Sequence, residues 1–446
     1  MEVISFDDLN LNKPLLSALD DLGLKHPTTI QKKVFSVVMS GRDVCGIAQT
    51  GTGKTYAYLL PCLRLWQYDK SKLPQIMILV PTRELVIQVA EEVKKLAAYM
   101  SVDVVGVYGG VNMKPQALAA ENGCDVVVGT PGRLLDLMLD GSVRVKNIKR
   151  LVIDEVDEMM NLGFKVQLSR ILGMLPEKRQ NLAFSATITE EVDVVMNEYF
   201  NGPERVEAAP TGTPLENINQ SVYHVPNFNT KVNLLEQLLN SDATMNKVLV
   251  FVATKSLADQ VFEEIEPKFP GAVGVMHSNK SQNVRFATVN KFQAGEYRFI
   301  IATDIIARGI DIEGVSHVVN FDVPNEPEAY IHRIGRTGRA DRRGIAISFM
   351  TEKEREDFEK IETLMHFAVP VIPLPDDLVI SDVLTDDEKP KVKMKTVLIK
   401  LPNVHEGGGA FHQKSEKNKK VNVKVSHKDK MMQKYGKPKT RGMKKK

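Results

Sequence analysis

The chain has 446 residues, which is too long for one ordinary hydrophobic core and predicts two domains plus an appendage. Its hydrophobic fraction of 43%, charged fraction of 26% and net charge of +3 are typical of a globular protein. No apolar run approaches the length of a membrane span, and no signal-peptide pattern occurs. The three cysteines lack the spacing of a metal site or of a disulfide framework. These features exclude a membrane-spanning or disulfide-rich secreted protein and predict a cytoplasmic protein without a membrane partner.

The first predicted elements lead to a loop rich in Gly and Thr. Apolar periodicity predicts a short helix over residues 14–22 and a second helix soon after it. A buried strand over residues 43–47 and a helix over residues 56–66 flank the loop, which reads Ala-Gln-Thr-Gly-Thr-Gly-Lys-Thr from Ala48 to Thr55. This string departs from the general phosphate-loop pattern only in Ala48, which replaces the first Gly.

A Gly-rich loop between a strand and a helix can hold phosphate groups. Its successive N–H groups point into one concavity, where the helix N-terminus adds positive potential. Gly51 and Gly53 permit the positive φ angles that such a loop needs. Lys54 can then reach the β- and γ-phosphates of a nucleotide, and the Thr55 hydroxyl can hold Mg²⁺. The alternative interpretation is a Gly- and Thr-rich turn that binds no ligand.

Further apolar strands follow in the first half of the chain, and each ends in a polar or Gly-rich signature. They are predicted over residues 76–80, 104–107, 125–128, 151–153 and 182–184, with an amphipathic helix over residues 85–99. The signatures are Pro-Thr-Arg-Glu-Leu (81–85), Gly-Gly (109–110), Gly-Thr-Pro-Gly-Arg (129–133), Asp-Glu-Val-Asp (154–157) and Ser-Ala-Thr (185–187). Apolar strands separated by helices predict a parallel sheet covered on both faces, which binds ligands at the carboxyl ends of its strands.

The acidic signature supplies what a nucleotide site needs besides the phosphate loop. Asp154, at the end of its strand, would bind the Mg²⁺ shell. Glu155 would position or deprotonate the attacking water. The alternative interpretation is a solvated acidic turn.

Residues 202–217 are rich in Pro, Gly and Thr and predict a linker between domains. The alternation then restarts, which predicts a second parallel-sheet domain of similar size without a phosphate loop of its own. Its strands are predicted over residues 248–252, 272–276, 299–302, 317–320 and 345–349, and its helices over residues 256–265, 282–292, 326–334 and 352–365.

Two segments of the second half carry side chains suited to a nucleotide. Arg333, Arg336 and Arg339 recur at three-residue spacing and would stabilise charge on a transferring phosphoryl group when the domains close. The alternatives are a patch for nucleic-acid backbone or a solvated basic helix end. Asp311 can accept hydrogen bonds from ribose hydroxyls, and a structural salt bridge is its alternative role.

Charge is unevenly distributed along the chain. Residues 389–446 hold 19 Lys and Arg against 3 Asp and Glu, so this segment carries +16 and the remainder −13. Residues 391–401 alternate enough for a short strand, and the chain beyond Gly409 is predicted to be disordered. A basic tail on an acidic body favours a polyanionic partner, and a tail that only aids solubility is the alternative.

Taken in this order, the motifs resemble those of the DEAD-box family of ATP-dependent RNA helicases, in helicase superfamily 2, over roughly residues 5–370. The resemblance implies an α/β fold of two tandem RecA-like parallel-sheet domains with a basic, disordered C-terminal tail. The implied boundaries are 1–205 for the ATP-binding domain, 206–217 for the linker, 218–372 for the C-terminal helicase domain and 373–446 for the tail. The arrangement and the basic tail look most like the bacterial RhlE-type branch.

The resemblance implies ATP and Mg²⁺ as cofactors. Gln31 would read the adenine edge through its amide, and Phe6 would pack on the base. Thr55 and Asp154 would hold Mg²⁺. The implied catalytic residues are Lys54, Asp154, Glu155, Arg336 and Arg339. The implied ATP-binding residues are Phe6, Gln31, Ala48, Gln49, Thr50, Gly51, Thr52, Gly53, Lys54, Thr55 and Asp311.

RNA is the implied macromolecular partner. Contacts would go mainly to phosphates and 2′-hydroxyls, so recognition would be largely independent of sequence. The implied coupling residues, which link hydrolysis to strand separation, are Asp157, Ser185, Thr187 and His332. The implied RNA-binding residues are Arg83, Gly110, Thr130, Pro131, Gly132, Arg133, Thr254, Arg285 and Thr303.

Three residues depart from the family pattern. Val156 stands where Ala is usual in the acidic motif, Leu24 replaces an aromatic residue before Gln31, and Asp341 replaces a Gly after the arginine motif. Because the chemistry uses the flanking carboxylates, Val156 needs only packing room, at a cost of about 1–3 kcal/mol where the site is tight.

The predicted function is RNA-stimulated ATP hydrolysis coupled to local, non-processive unwinding or remodelling of RNA duplexes and ribonucleoproteins. A non-catalytic RNA clamp that uses ATP as a latch is one alternative, which the intact Lys54, Asp154, Glu155 and Arg336 disfavour. A DNA helicase of the same superfamily is another, which the Gln31 region and the Ser-Ala-Thr motif disfavour. Ribosome-assembly intermediates or RNA-decay machinery are candidate partners.

Overall fold

The computed structural model describes residues 5–48, 52–207, 217–304, 314–338, 343–385, 388–389 and 426–436. The chain divides into two units, Met1–Lys389 and Pro390–Lys446. The first unit contains two seven-stranded parallel sheets flanked by helices, which confirms the predicted α/β architecture of two RecA-like domains. We call residues 5–207 the first half and residues 217–389 the second half. No helix in the described part of the chain is both long and apolar enough to cross a bilayer.

The first sheet consists of β1 (Val44–Ile47), β2 (Ile76–Leu79), β3 (Val104–Val107), β4 (Val126–Gly129), β5 (Arg150–Ile153), β6 (Gln180–Ser185) and β7 (Glu204–Glu207). Its order is β3-β4-β2-β5-β6-β1-β7, and the pairings are parallel. Strands β1, β2 and β4 are buried along their whole length, as expected for continuous apolar strands between two layers of helices.

The helices of the first half begin where the sequence provides caps. The side chains of Asn12, Thr82 and Thr189 each accept a hydrogen bond from a backbone N–H of the first turn. A short 3₁₀ turn over Phe6–Leu9 precedes the helices, which are α1 (Lys13–Asp21), α2 (Thr29–Met39), α3 (Lys54–Arg64), α4 (Arg83–Leu96), α5 (Met113–Glu121), α6 (Pro131–Asp140), α7 (Val156–Asn161), α8 (Lys165–Met174) and α9 (Glu190–Tyr199).

The strand order brings separate motifs to one edge of the first sheet. Strand β6 lies between β1 and β5, so that Ser185 pairs with Ile47, and Ala183 pairs with both Cys45 and Ile153. The phosphate loop follows β1, the acidic motif follows β5, and the Ser-Ala-Thr motif ends β6. All three motifs therefore leave the sheet side by side.

The second sheet consists of β8 (Ile218–His224), β9 (Val248–Val252), β10 (Val273–Met276), β11 (Phe299–Thr303), β12 (His317–Asn320), β13 (Gly344–Met350) and β14 (Val371–Ile372). Its order is β10-β11-β9-β12-β13-β8-β14. The accompanying helices are α10 (Phe228–Ser241), α11 (Lys255–Ile265), α12 (Gln282–Gln293), α13 (Pro327–Ile334) and α14 (Arg355–Met365), with 3₁₀ turns over Glu266–Lys268 and Glu352–Glu354.

Strand β7 lies inside the segment predicted to be a linker. The linker prediction over residues 202–217 is wrong at Glu204–Glu207, because these residues form a strand that pairs with β1. Within this strand only Val206 is buried. A single buried Val between charged residues gives too weak an alternation to indicate a strand. The other linker residues, 208–216, lie outside the described residues.

The chain beyond β14 packs along α10. Asn229 and Asn233, one turn apart on that helix, donate side-chain hydrogen bonds to the carbonyls of Val383 (2.7 Å) and Val379 (2.8 Å). Glu388 accepts a hydrogen bond from the N–H of Phe228 at 2.6 Å. The predicted tail boundary at 373 therefore falls before a segment that belongs to the second half. Leu378 is also buried in the core of the second half, whereas Val379 and Val383 have exposed side chains, so the apolar residues here show no regular buried face.

Helix α15 (His427–Tyr435) lies in the segment that was predicted to be disordered. Ser426 caps it by accepting a hydrogen bond from the N–H of Asp429, and Lys and Met residues are good helix formers. The disorder predicted beyond Gly409 does not extend to these residues. The strand predicted over residues 391–401 lies outside the described residues.

A buried ion pair tests the packing of the second half. Lys231 has a side chain that is 3% exposed and contacts carboxylate oxygens of Asp322 (3.2 Å) and Glu354 (3.0 Å). Changing Lys231 to Met leaves two partly buried carboxylates without their buried cation, so we expect the free energy of unfolding to fall by about 3–5 kcal/mol in urea denaturation. The matched control is Lys360→Met, which removes an exposed partner of Asp357 and should change stability little. Equal stability of the two variants would contradict this interpretation.

Candidate active site

Helix α3 begins at the end of the phosphate loop. Gly53 precedes its first residue with a φ of +88°, a conformation that residues with a Cβ rarely adopt. Lys54 is 7% exposed, and its Nζ has no hydrogen-bond partner within the described part of the chain. The N–H of Ala48 donates to the carbonyl of Ser185 at 3.0 Å. Of the predicted loop residues, Gln49, Thr50 and Gly51 lie outside the described residues.

A buried ammonium group that has no hydrogen-bond partner among the described residues fits an anionic ligand. Burial of a charge is costly unless the charge is paired. The N-terminus of α3 adds N–H donors and positive potential at the same place. A phosphate group can accept hydrogen bonds from the Lys54 ammonium and from the N–H groups of the helix. Lys54 and the start of α3 therefore fit the triphosphate of a nucleotide.

Gln31 connects α2 to the phosphate loop. Its Oε1 accepts a hydrogen bond from the N–H of Thr28 at 2.9 Å, and its Nε2 donates to the carbonyl of Gly53 at 3.2 Å. A Cβ atom on residue 53 would lie 2.5 Å from that Nε2, so the contact requires Gly. One amide hydrogen and one lone pair remain for the predicted adenine contact. Phe6, the other predicted base contact, is 4% exposed and packs in the hydrophobic core.

Asp154 is held by hydrogen bonds to both of its oxygens. Oδ1 accepts from the N–H of Glu155 at 3.0 Å, and Oδ2 accepts from the Tyr58 hydroxyl at 3.0 Å. Burial raises the pKa of Asp154, and the charge of Lys54 opposes that increase. Tyr58 is a residue that the sequence motifs did not indicate, because it lies in what reads as the apolar face of α3.

Glu155 combines an unusual backbone with an unusual pKa. Its φ and ψ are 54° and 55°, in the left-handed region that a residue other than Gly rarely occupies outside functional sites. Burial raises the pKa of Glu155 to about 7, although Lys54 and Arg336 act to lower it. A carboxyl group with a pKa near neutrality can accept a proton at physiological pH.

Asp157 connects the acidic motif to the Ser-Ala-Thr motif. Its Oδ2 accepts hydrogen bonds from the N–H groups of Ala186 (3.1 Å) and Thr187 (2.9 Å) and from the Thr187 hydroxyl (2.9 Å). The Asp157 N–H donates to Ser185 Oγ at 3.3 Å. Val156, which lies between Glu155 and Asp157 in the chain, is fully buried in the hydrophobic core, as expected for a residue whose role is packing.

The second half brings His332 and Arg336 to these carboxylates. Burial acts to raise the pKa of Asp157, but the net shift is downward because His332, Lys54 and the hydrogen bonds from Thr187 favour the charged form. Arg336 is 5% exposed, and its Nε donates to the carbonyl of His332 at 3.3 Å. Arg339 and Asp311, the other predicted nucleotide contacts from this half, lie outside the described residues.

Arg333, the first of the three regularly spaced arginines, has a structural role. It is 2% exposed and forms a bidentate ion pair with Asp304, with Nε–Oδ1 at 2.5 Å and Nη2–Oδ2 at 2.7 Å. Its Nη1 donates to the carbonyl of Asp322 at 2.7 Å. Despite the equal spacing, Arg333 and Arg336 do not lie on one helix face, because α13 ends between them.

The residues predicted to contact RNA in the first half lie at the carboxyl ends of β2, β3 and β4. The Arg83 guanidinium lies against Gly110, where no Cβ atom has room. Arg133 donates to Gln116 Oε1 and to the carbonyl of Val111, both at 2.9 Å. Thr130 precedes α6, whose first residues are Pro131 and Gly132. These contacts orient two cations at one edge of the sheet.

The corresponding residues of the second half lie at strand ends and on α12. Thr254 caps α11, and Thr303 ends β11. Arg285 and Gln282 on α12 both contact Glu84 Oε1 on α4, at 3.1 Å and 3.0 Å. This ion pair connects the predicted RNA-binding segments of the two halves. Glu84 stands beside Arg83 in its motif, but nothing in the motif indicates that the partner of Glu84 is Arg285.

Comparisons with known proteins match both halves. The description DEAD/DEAH box helicase matches residues 28–195, and the description Helicase conserved C-terminal domain matches residues 230–341. The chain is 38% identical over 358 residues to the DEAD-box ATP-dependent RNA helicase CshA of Geobacillus kaustophilus, which covers 80% of this chain and 76% of that one. It is 36% identical over 371 residues to the ATP-dependent RNA helicase DbpA of Bacillus subtilis, with 83% and 76% covered.

A solved structure has the same arrangement of elements. S. cerevisiae Dbp5 bound to RNA and ADP BeF3 is 29% identical to this chain, with a TM-score of 0.76. The match covers 83% of this chain and 96% of that chain.

The raised pKa of Glu155 predicts a pH dependence of stability. Between its ordinary pKa of 4.5 and its folded value of about 7, Glu155 holds more protons in the folded state than in the unfolded state. Its contribution to stability is therefore greatest at the acid end of this window and is lost as the pH rises through about 7. Melting temperatures of the nucleotide-free wild type and the Glu155→Gln variant, measured across the window, should show the wild type losing stability relative to the variant. Parallel curves would contradict the assignment.

Proposed function

The chain belongs to the DEAD-box family of ATP-dependent RNA helicases, and from this premise we propose the roles of its individual residues. It binds ATP and RNA and couples ATP hydrolysis to RNA remodelling. The observation that carries the residue assignment is the convergence of Lys54, Asp154 and Glu155 at the edge of the first sheet, where Arg336 from the second half also acts on Glu155.

Lys54 and the N-terminus of α3 bind the phosphates of ATP in this proposal. The buried Lys54 ammonium, which forms no hydrogen bond with the described residues, supports that role. The Thr55 hydroxyl and the Asp154 carboxylate provide the oxygen ligands that Mg²⁺ prefers, so these residues fit the ion. When bound, Mg²⁺ would neutralise charge on the phosphate oxygens. Gln31 fixes the loop through Gly53 and selects adenine with the remaining groups of its amide.

Glu155 and the arginines act on the bond that breaks. Glu155 orients the attacking water and accepts its proton, which the pKa of about 7 supports. Arg336 stabilises the negative charge that develops on the transferring phosphoryl group. We assign the same task to Arg339.

Asp157, Ser185, Thr187 and His332 couple hydrolysis to RNA remodelling. Asp157 accepts hydrogen bonds from Thr187 and is acted on by His332 of the second half. A change in the position of the second half therefore alters the charge balance at the acidic motif and at the Ser-Ala-Thr motif together. This coupling fits local, non-processive unwinding, in which each closure acts on one short duplex.

RNA recognition in this proposal is directed at the backbone. Arginine and threonine side chains, Gly110 and the N-terminus of α6 suit phosphate and 2′-hydroxyl groups rather than base edges. The side chains assigned to this task are Arg83, Thr130, Arg133, Thr254, Arg285 and Thr303, together with Pro131 and Gly132. The basic tail, which lies mostly outside the described residues, would add contacts of the same kind.

Several finer assignments stay predictions. They are the RhlE-type branch, a cytoplasmic location, and a role in ribosome assembly or RNA decay. The relatives named CshA and DbpA do not select among these pathways.

An ATPase assay separates the proposed function from its two alternatives. Turnover should be low without nucleic acid, increase with single-stranded RNA, and stay low with DNA of the same sequence. Equal stimulation by DNA would favour a DNA helicase. Binding of ATP and RNA without turnover would favour a clamp that uses ATP as a latch.

The role of Arg336 predicts a large loss of turnover. Arg336→Ala removes a cation from the developing phosphoryl charge, and loss of such an arginine costs about 10³–10⁵ in turnover in related systems. RNA-stimulated hydrolysis should fall by that order, while ATP affinity should be largely retained because Lys54 and Gln31 remain. Arg355→Ala, at an exposed arginine on α14, is the matched control and should be as active as the wild type. Near-normal turnover of Arg336→Ala would rule out the assignment.

A further inference from the structure

Tyr58 places a hydroxyl group inside the first half next to the active edge. The side chain is fully buried on α3, and its hydroxyl donates to Asp154 Oδ2 at 3.0 Å. The ring is fixed by Phe184 of β6, with ring centroids 5.3 Å apart and planes inclined at 51°. A hydroxyl in such surroundings is costly unless it is hydrogen-bonded, so its orientation towards Asp154 is strongly preferred.

The same hydroxyl interacts with a second residue of the proposed metal site. Thr55 lies one turn before Tyr58 on α3, and its side chain interacts with the Tyr58 hydroxyl. Thr55 and Asp154 are the two residues proposed to hold Mg²⁺. One buried phenol thus contacts both proposed ligands, which come from different elements.

Asp154 is thereby fixed in its rotation. One lone pair of Oδ1 is used by the N–H of Glu155 and one lone pair of Oδ2 by Tyr58. Each oxygen keeps one lone pair for other partners. Two donors on opposite oxygens fix the plane of the carboxylate, which a hydrophobic ring of the same size would not do.

We propose that Tyr58 is a positioning residue of the Mg²⁺ site, which orients the Asp154 carboxylate and the Thr55 hydroxyl for the ion. This inference rests on the proposed function of Thr55 and Asp154. Groups that hydrogen-bond a metal ligand commonly set its orientation and basicity, and their loss typically costs about 10–100-fold in metal affinity or activity. A role in packing alone needs the ring of Tyr58 but not its hydroxyl.

The chain offers a matched pair of variants for the test. Tyr58→Phe removes the hydroxyl that contacts Asp154. Tyr56→Phe removes a hydroxyl on the same helix that donates to Glu92 Oε2 at 2.5 Å, away from both proposed ligands. The probe is a fluorescent ADP analogue, whose binding to the full-length protein is titrated at increasing Mg²⁺ and in excess EDTA. Melting temperatures verify that each variant is folded.

Tyr58→Phe should need about 10–100-fold more Mg²⁺ than the wild type for half-maximal enhancement of ADP binding, with unchanged affinity in EDTA. Tyr56→Phe should match the wild type in both conditions. Half-maximal Mg²⁺ concentrations within twofold of each other for all three proteins would overturn the role of Tyr58 and leave the metal site standing. An equal loss of affinity with and without Mg²⁺ in Tyr58→Phe would also overturn it, because the hydroxyl would then support the fold. Wild-type binding that is independent of Mg²⁺ would overturn the metal site itself and this inference with it.

Discussion

One buried ammonium group and three buried or partly buried carboxylates lie together at the edge of the first sheet. Lys54 acts to lower the pKa of Asp154, Glu155 and Asp157, so it lies within electrostatic reach of all three. The charge of Lys54 does not offset the burial of Asp154 and Glu155, because the pKa of each stays raised despite it. A bound triphosphate would compete for the same ammonium. Among the described residues of the second half, Arg336 acts to lower the pKa of Glu155, and His332 acts to lower the pKa of Asp157.

The contacts between the two halves connect nucleotide chemistry to RNA binding. His332 and Arg336 act on the acidic motif, while Arg285 and Gln282 contact Glu84 beside Arg83. One set of contacts lies at the proposed nucleotide site and the other between segments proposed to bind RNA. A single arrangement of the two halves forms both sets. Ligands that favour this arrangement from either site must then favour each other's binding.

The sequence predicted most of the fold and the identity of the motif residues. Apolar strands that end in polar signatures predicted two parallel sheets, and the order of motifs predicted that the phosphate loop and Asp154 share an edge.

The sequence did not predict β7. Residues Glu204–Glu207 contain no apolar run, and they form a strand because they pair with β1. The sequence also did not predict the packing of the chain along α10, because Asn229 and Asn233 bind carbonyl groups of Val383 and Val379, whose own side chains are exposed. The spacing of Arg333 suggested a third phosphate contact, whereas pairing with Asp304 depends on tertiary structure. Tyr58 appeared as one more apolar position on a helix, since only the fold brings its hydroxyl to Asp154.

Charges from both halves of the chain form one site. The coupling between nucleotide affinity and RNA binding tests this most directly. The affinity of a fluorescent, non-hydrolysable ATP analogue for the full-length chain should be measured with and without saturating single-stranded RNA. Coupling free energies between sites are typically about 1–3 kcal/mol, so we expect the analogue to bind about 5–150-fold more tightly with RNA present. His332→Ala should reduce that factor, because it removes a side chain of the second half that favours the charged form of Asp157. Equal affinity of the wild type with and without RNA would contradict the account.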